Sequence, residues 1–293
     1  MVYTLPVDLQ EKARVELNET DEVKAAALKS LRAKLEAASL PIAAAGETWT
    51  PIRTDDDFLL RFLRQKKFRV DDAFAALKEH AAFFREHGAR LQGGSAAECR
   101  QMYDLMGTMI IPERDAAGRL CTLLVPSRMN LDSGLSPEQY TAKALRSMAF
   151  LMEAVLDDPY VQVNGMAVFE NFAGFSIGSA GKMKSVMSDE LQKLQFGCLK
   201  VSPVRLTGIF ILNQPWYVSL HRIPHAGSRP YRRYMTFMLA IVKPFLSAKL
   251  KKRIHVWGDD FAQLHALLPL SALPAEFGGT AEWSNERFFM SLQ

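Results

Sequence analysis

Beyond about residue 110, the sequence alternates between short apolar runs and longer segments with helical periodicity. This alternation limits the possible folds more than any other feature of the chain. The predicted strands are 119–125, 161–169, 206–212 and 254–256. The predicted helices are 137–156, 179–196, 234–251 and a short one at 261–268. Strands that alternate with helices favour a mostly parallel sheet with helices packed on it, and an α/β fold class.

The part of the chain before the strands has helical periodicity throughout. In its first helix the apolar positions are Leu17, Val23, Ala27, Leu28, Leu31 and Leu35. Residues 39–50 are rich in small residues and predict a linker. After the linker, Thr54 is the predicted cap of a second helix, and Gly88 is the predicted end of a third. We therefore expect an N-terminal helical module at 1–110 and an α/β domain at 111–293.

Composition excludes several classes of protein. The net charge is only +4, whereas a nucleic-acid-binding protein normally has a strongly basic face. No apolar run reaches the roughly 20 residues that span a bilayer, and the start of the chain lacks the apolar core of a secretory signal. The cysteines Cys99, Cys121 and Cys198 lie far apart and predict reduced thiols in a core. The sequence thus predicts a cytoplasmic protein without a nucleic-acid partner.

The usual motifs of catalysis and metal binding are missing from the sequence. There is no Gly-x-Ser-x-Gly turn, no phosphate-binding glycine loop and no His-Glu-x-x-His pair. His221 and His225 have helical spacing, but Pro224 lies between them and no acidic ligand is nearby. We therefore expect no catalytic residue and no metal site. The 13 methionines and 18 phenylalanines fit either ordinary core packing or a pocket for an apolar ligand.

A series of motifs along the chain resembles the CRAL-TRIO lipid-binding family. The first is DFLLRFLRQKKF at 57–68, in the helical module. The others are VNG at 163–165, ENFAGF at 170–175, NQPWY at 213–217, KPFL at 243–246, RIHVWGDD at 253–260 and LPAEFGGT at 273–280. The resemblance spans residues 8–281. Within the family it is greatest to the group of retinaldehyde-binding, clavesin and tocopherol-transfer proteins.

The resemblance implies a sheet that forms the floor of a hydrophobic cavity, which a mobile gate helix at about 216–251 closes. The implied pocket residues are Met148, Met152, Glu170, Phe172, Phe210, Trp216, Met238, Val242, Phe245 and Leu246. The residues implied to bind phosphoinositide head groups at the membrane are Lys66, Arg205, Lys249 and Arg253. No cofactor is implied other than a non-covalently bound hydrophobic ligand such as retinal or α-tocopherol, and a monomer is favoured.

Three positions depart from the pattern of the family. Met148 replaces a pocket tyrosine of the retinaldehyde-binding proteins, which removes a hydrogen-bonding group. Thr207 replaces a basic residue of the head-group site. Residues 219–234 resemble an insertion and are either a basic membrane-docking loop or a neutral one. Two roles also stay open for Glu170, which would polarise the ligand or would cap the backbone at a strand end.

The function implied by the resemblance is that of a carrier, not an enzyme. Such a carrier holds one retinoid, tocopherol or similar isoprenoid and transfers it at phosphoinositide-containing membranes. The alternative is phospholipid or phosphoinositide exchange, or regulation of trafficking. A head group would need polar contacts inside the cavity, whereas the predicted interior strands are apolar. A third possibility is a lipid-modifying enzyme or an interaction module with the same fold.

Overall fold

The computed structural model describes residues 5–38, 53–130, 132–186, 188–214 and 252–292, and the elements are numbered over these residues. The helices that precede the sheet are α1 (Val7–Leu17), α2 (Asp21–Ala37), α3 (Asp56–Gln65), α4 (Val70–Leu91) and α5 (Ala96–Leu105). Their apolar faces form a core in which Leu31, Phe62 and Leu77 are completely buried. The helical module predicted from periodicity is therefore present.

Two helix ends of the module differ from the prediction. The cap of α3 is Asp55, whose carboxylate accepts a hydrogen bond from the Phe58 amide at 3.0 Å, so the prediction of Thr54 was wrong by one residue. Helix α4 continues beyond Gly88 to Leu91. A glycine inside a helix costs about 1 kcal/mol, and the burial of Leu91 offsets that cost.

The second part of the chain forms a five-stranded sheet in the order β1-β2-β3-β4-β5. Its strands are β1 (Thr108–Ile111), β2 (Leu120–Leu124), β3 (Met166–Asn171), β4 (Leu206–Leu212) and β5 (Ile254–Gly258). Strand β1 is antiparallel to β2, and the other neighbours are parallel. The remaining helices are α6 (Pro137–Leu156), α7 (Pro159–Asn164), α8 (Ile177–Val186), α9 (Asp189–Val201), α10 (Ala262–His265) and α11 (Glu286–Met290). The predicted fold class is confirmed.

The start of the second predicted strand is helical. The carboxylate of Asp158 accepts a hydrogen bond from the Tyr160 amide at 2.8 Å, and Pro159 occupies the first position of α7. The helix ends at Gly165, whose φ is +82°, and β3 begins only after it. The predicted strand at 161–169 was therefore wrong in its first half. Strand β1 was not predicted, and the predicted helix at 179–196 is divided into α8 and α9.

Two buried arginines of α3 join the helical module to the sheet domain. Arg61 donates a hydrogen bond to the Glu153 carboxylate on α6 at 2.9 Å. Arg64 contacts both carboxylate oxygens of Glu19 at 2.6 and 2.9 Å, and it donates to the Gln162 side chain on α7 at 2.5 Å. Because Arg64 and Glu19 are both buried, each charge depends on the other for its stabilisation.

Candidate ligand-binding site

One face of the sheet is only partly covered. The pairing of β2, β3 and β4 aligns their residues in two rows. One row consists of Thr122, Val168 and Ile209, and the other consists of Leu124, Glu170 and Ile211. We call these six residues the floor. All six are half-buried, whereas the positions that alternate with them are buried. Since side chains alternate between the two faces of a strand, the floor is one continuous surface, with four aliphatic residues and two polar ones.

Glu170 carries the only carboxyl group of the floor. Burial raises its pKa to about 7, and no side-chain hydrogen bond or ion pair joins it to any other described residue. Its surface is nevertheless partly accessible. A carboxyl group that is shielded from bulk water without gaining a protein partner has both properties. Of the two roles left open, backbone capping is thus not observed within the described residues.

Met148 and Met152 lie on the same side of the sheet as Glu170. Both belong to α6 and pack in a cluster with Leu120 and Met166, which are the first residues of β2 and β3. These two strand residues precede the floor by an even number of positions and therefore share its face. The structure thus places both methionines at the end of the floor where the strands begin.

Phe210 lies on the opposite face of the sheet. It stands between two floor residues of β4, so its ring points away from them. The ring stacks on that of Phe169, with centroids 4.8 Å apart, and lies tilted against that of Trp257, with centroids 4.4 Å apart. The structure therefore does not bring Phe210 together with Glu170. Phe172 follows β3 in a loop, where it is buried with its ring 6.0 Å from that of Phe175.

Two predicted head-group residues lie at the same edge of the sheet. Arg205 and Arg253 directly precede the parallel strands β4 and β5. The guanidinium of Arg205 donates to the Val163 carbonyl, and that of Arg253 donates to the Leu206 carbonyl. Loss of solvation lowers the pKa of Arg205; the carboxylate of Glu16 opposes this shift and the charge of Arg253 adds to it. Two positive charges are therefore held close together.

Lys66 is brought to the same edge by α3. The side chain of Gln65 donates to the backbone carbonyls of Ser202 at 2.9 Å and Val204 at 3.3 Å. These two residues lead directly into β4, so the C-terminal end of α3 lies next to Arg205. We call Lys66, Arg205 and Arg253 the basic edge. Along β4, at about 3.3 Å per residue, Arg205 of the basic edge lies about 20 Å from Ile211, which belongs to the far row of the floor.

The comparisons with known proteins identify the family of the chain. Residues 105–221 and 233–279 match the CRAL/TRIO domain, and residues 27–79 match the CRAL/TRIO N-terminal domain. The chain belongs to the CRAL/TRIO family. This family consists of proteins that bind lipids and other hydrophobic small molecules. Membership therefore indicates a lipid-binding role for the chain, without identifying the ligand. The match to the CRAL/TRIO domain omits residues 222–232, which lie within the segment interpreted above as an insertion.

Two relatives of this CRAL/TRIO protein are similar over most of its length. Clavesin-1 of Rattus norvegicus is 30% identical over 279 residues, which are 94% of this chain and 69% of the relative. Clavesin-2 of Homo sapiens is 30% identical over 231 residues, which are 78% of this chain and 63% of the relative. The crystal structure of Sfh5 has a TM-score of 0.51 and 12% identity, covering 91% of both chains, and it shows a likeness of fold alone.

Several predicted site residues lie outside the described part of this CRAL/TRIO protein. They are Trp216, Met238, Val242, Phe245, Leu246 and Lys249, together with the predicted gate at 216–251 and the insertion at 219–234. Five floor residues were missed by the sequence reasoning: Thr122, Leu124, Val168, Ile209 and Ile211. Alternation along the predicted strands groups residues that share a face, but the register between strands is needed to show which of these groups lie on the same side as Glu170.

The described residues bring together no group of side chains that could hold a metal ion. Among the helices of the described segments, none combines the length and the apolar character needed to cross a bilayer.

Proposed function

We propose that this CRAL/TRIO protein is a carrier that binds one retinoid, tocopherol or related isoprenoid on the floor and releases it at phosphoinositide-containing membranes. The observation that supports this most directly is the floor itself. Its aliphatic side chains are half-buried and keep part of their surface accessible. Its one carboxyl group, that of Glu170, has a pKa raised to about 7 by burial and is unpaired within the described residues. Such a surface is suited to a ligand that is apolar over almost all of its length.

The hydrophobic effect supplies the affinity of this carrier. A C20 isoprenoid removes several hundred Å² of apolar surface from water, at about 25 cal/mol per Å². Met148 and Met152, which pack at the end of the floor, would adapt to irregular shapes because their side chains are flexible and polarisable. The pocket is therefore expected to tolerate related isoprenoids.

The basic edge supports release at a membrane. Lys66, Arg205 and Arg253, with Lys249 from outside the described residues, would bind phosphate groups through charge-assisted hydrogen bonds. Each basic residue near an anionic surface contributes about 1 kcal/mol to membrane binding. Membrane binding favours ligand release only if the releasing conformation binds the anionic surface more tightly. The carrier would then exist as a cytoplasmic monomer that visits membranes transiently.

A binding role fits the described residues better than a catalytic one. The three cysteines are buried, and burial raises the pKa of Cys99 and of Cys198 to about 12 and that of Cys121 further. A thiol with such a pKa is not a nucleophile at neutral pH. No nucleophile paired with a base is found in the floor within the part of the chain that the structure describes.

The experiment that tests the proposal identifies the bound molecule. Lipids extracted from the natively purified protein would be analysed by mass spectrometry and ultraviolet-visible absorption. Retinal, α-tocopherol and phosphatidylinositol would then be titrated into the ligand-free protein. We expect a neutral isoprenoid at one molecule per chain, or saturable binding of one. A stoichiometric phospholipid without isoprenoid binding would contradict the proposal and would favour phospholipid exchange.

A further inference from the structure

Thr122 is the second polar residue of the floor, and the family resemblance gives it no role. Its hydroxyl has no hydrogen-bond partner among the described residues. It lies in register with Val168 on β3, one row before Glu170. The threonine and the glutamate are therefore diagonal neighbours on one face. Cβ atoms in such positions are about 7 Å apart, within reach of a long side chain.

We infer that Thr122 and Glu170 bind the one oxygen atom of a neutral lipid that ends in a hydroxyl or carbonyl group, and that Thr122 selects such lipids over hydrocarbons. This inference rests on the proposed carrier function and adds the chemical class of the ligand. The two side chains form no direct hydrogen bond with each other, so both retain the capacity to contact a third group. A ligand oxygen atom between the two side chains would accept a hydrogen bond from each of them.

The donor inventory fits such a group. A protonated carboxyl has one O–H donor, and a threonine hydroxyl has another. A carbonyl or hydroxyl oxygen has two lone pairs and satisfies both donors at once. A hydrocarbon satisfies neither, and it leaves two polar groups enclosed without partners, which is unfavourable.

The same surroundings disfavour a phosphate group. The neighbours of Thr122 and Glu170 in the two rows are Leu124, Val168, Ile209 and Ile211. None of them offers a positive charge, so among these neighbours a phosphate beside the Glu170 carboxyl would be a buried anion without a counter-ion. A phospholipid head group would instead find cations at the basic edge, at the other end of β4.

The test uses three C20 polyenes that differ only at one end: retinol, retinal and the parent hydrocarbon with a terminal methyl group. Each polyene is titrated into the ligand-free full-length protein, and binding is monitored by the absorption and fluorescence of the polyene. We expect the wild type to bind the two oxygenated polyenes at least tenfold more tightly than the hydrocarbon. Thr122→Val should weaken the binding of both oxygenated polyenes about three- to tenfold, the effect of one neutral hydrogen bond. It should not weaken the binding of the hydrocarbon and should tighten it if anything, because the variant no longer encloses a hydroxyl without a partner.

Two control variants separate hydrogen bonding from packing. Thr122→Ser retains the hydroxyl and should bind like the wild type. Ile209→Val changes only the volume of the neighbouring row and should shift the affinity for all three polyenes by the same factor. If Thr122→Val behaves like Ile209→Val, or changes nothing, the selective role of Thr122 is wrong while the carrier function stands. If the wild type binds neither the three polyenes nor α-tocopherol, both proposals are overturned.

Discussion

At the scale of single residues, the Glu170 carboxyl links the stability of the fold to pH. An exposed glutamate releases its proton near pH 4.5, whereas burial in the floor raises the pKa of Glu170 to about 7. The folded protein therefore holds this proton more tightly than the unfolded chain. The contribution of Glu170 to stability is fully present below pH 4.5 and is lost as the pH rises to 7, because ionisation is then easier in the unfolded chain.

The substitution Glu170→Gln removes this dependence. At pH 8 the ligand-free variant should be more stable than the wild type by up to about 3 kcal/mol, and at pH 4.5 the two should be equal. Urea unfolding of the variant and the wild type at pH 4.5, 6 and 8 measures this difference in the free energy of unfolding. Glu282→Gln, a change at an exposed glutamate, controls for net charge and should follow the wild type. Equal pH profiles for Glu170→Gln and the wild type would show that the carboxyl is solvated.

At the scale of elements, the boundary between α7 and β3 depends on one glycine. Gly165 has φ +82° and ψ −163°, a conformation that is essentially restricted to glycine. A Cβ atom there would lie 2.2 Å from the carbonyl oxygen of Arg205, the residue that leads into β4. The glycine thus permits the close approach of two chain segments immediately before two paired strands begin.

Gly165→Ala should therefore lower the free energy of unfolding by about 3 kcal/mol. Gly134→Ala is a matched control, since Gly134 also has a positive φ of +74° but no atom within 4 Å of the added Cβ. The control should cost about 1 kcal/mol, which reflects backbone strain alone. Urea unfolding of both variants tests this, and equal losses would mean that the contact with Arg205 relaxes without cost.

Elements with clear signals at their ends are those that the sequence predicts well. Helix α6 coincides with its prediction because Ser136 and Gln139 form a capping box before a regular apolar pattern. The run 161–169 is apolar enough for either a strand or a helix, and local capping together with Gly165 decides between them. The floor shows the same limit, because Phe210 and its neighbours are equally apolar. Only the register of β4 against β3 shows which of them face Glu170.

At the scale of the whole molecule, Arg64 connects the two parts of the chain, because it pairs with the buried Glu19 of its own helical module and also donates to Gln162 on α7. Arg64→Ala should lower the free energy of unfolding by about 3–5 kcal/mol, because it leaves a buried carboxylate without its counter-charge. Lys24→Ala removes a pair whose carboxylate, Asp21, is 91% exposed, and should cost less than about 0.5 kcal/mol. Urea unfolding compares the two. A similar small loss for both would mean that water replaces the arginine.

Because the floor is separate from the basic edge, the proposed ligand binding and the proposed membrane binding should be separable by mutation. Lys66→Ala and Arg253→Gln together should weaken binding to phosphoinositide-containing vesicles about 10- to 30-fold, since each cation contributes about 1 kcal/mol. The affinity for a soluble isoprenoid titrant should not change, because neither residue belongs to the floor. Lys29→Ala, a change at an exposed lysine of α2, is the control for total charge and should lower vesicle binding much less.

Co-sedimentation with vesicles at low and high salt measures this difference, and the loss in the double variant should shrink as salt screens the charges. Equal losses for the double variant and for Lys29→Ala would mean that net charge, not the basic edge, attracts the membrane. A loss of isoprenoid binding in the double variant would mean that the two sites are coupled through the sheet. Transfer of ligand to vesicles should fall in proportion to vesicle binding if release takes place only on the membrane.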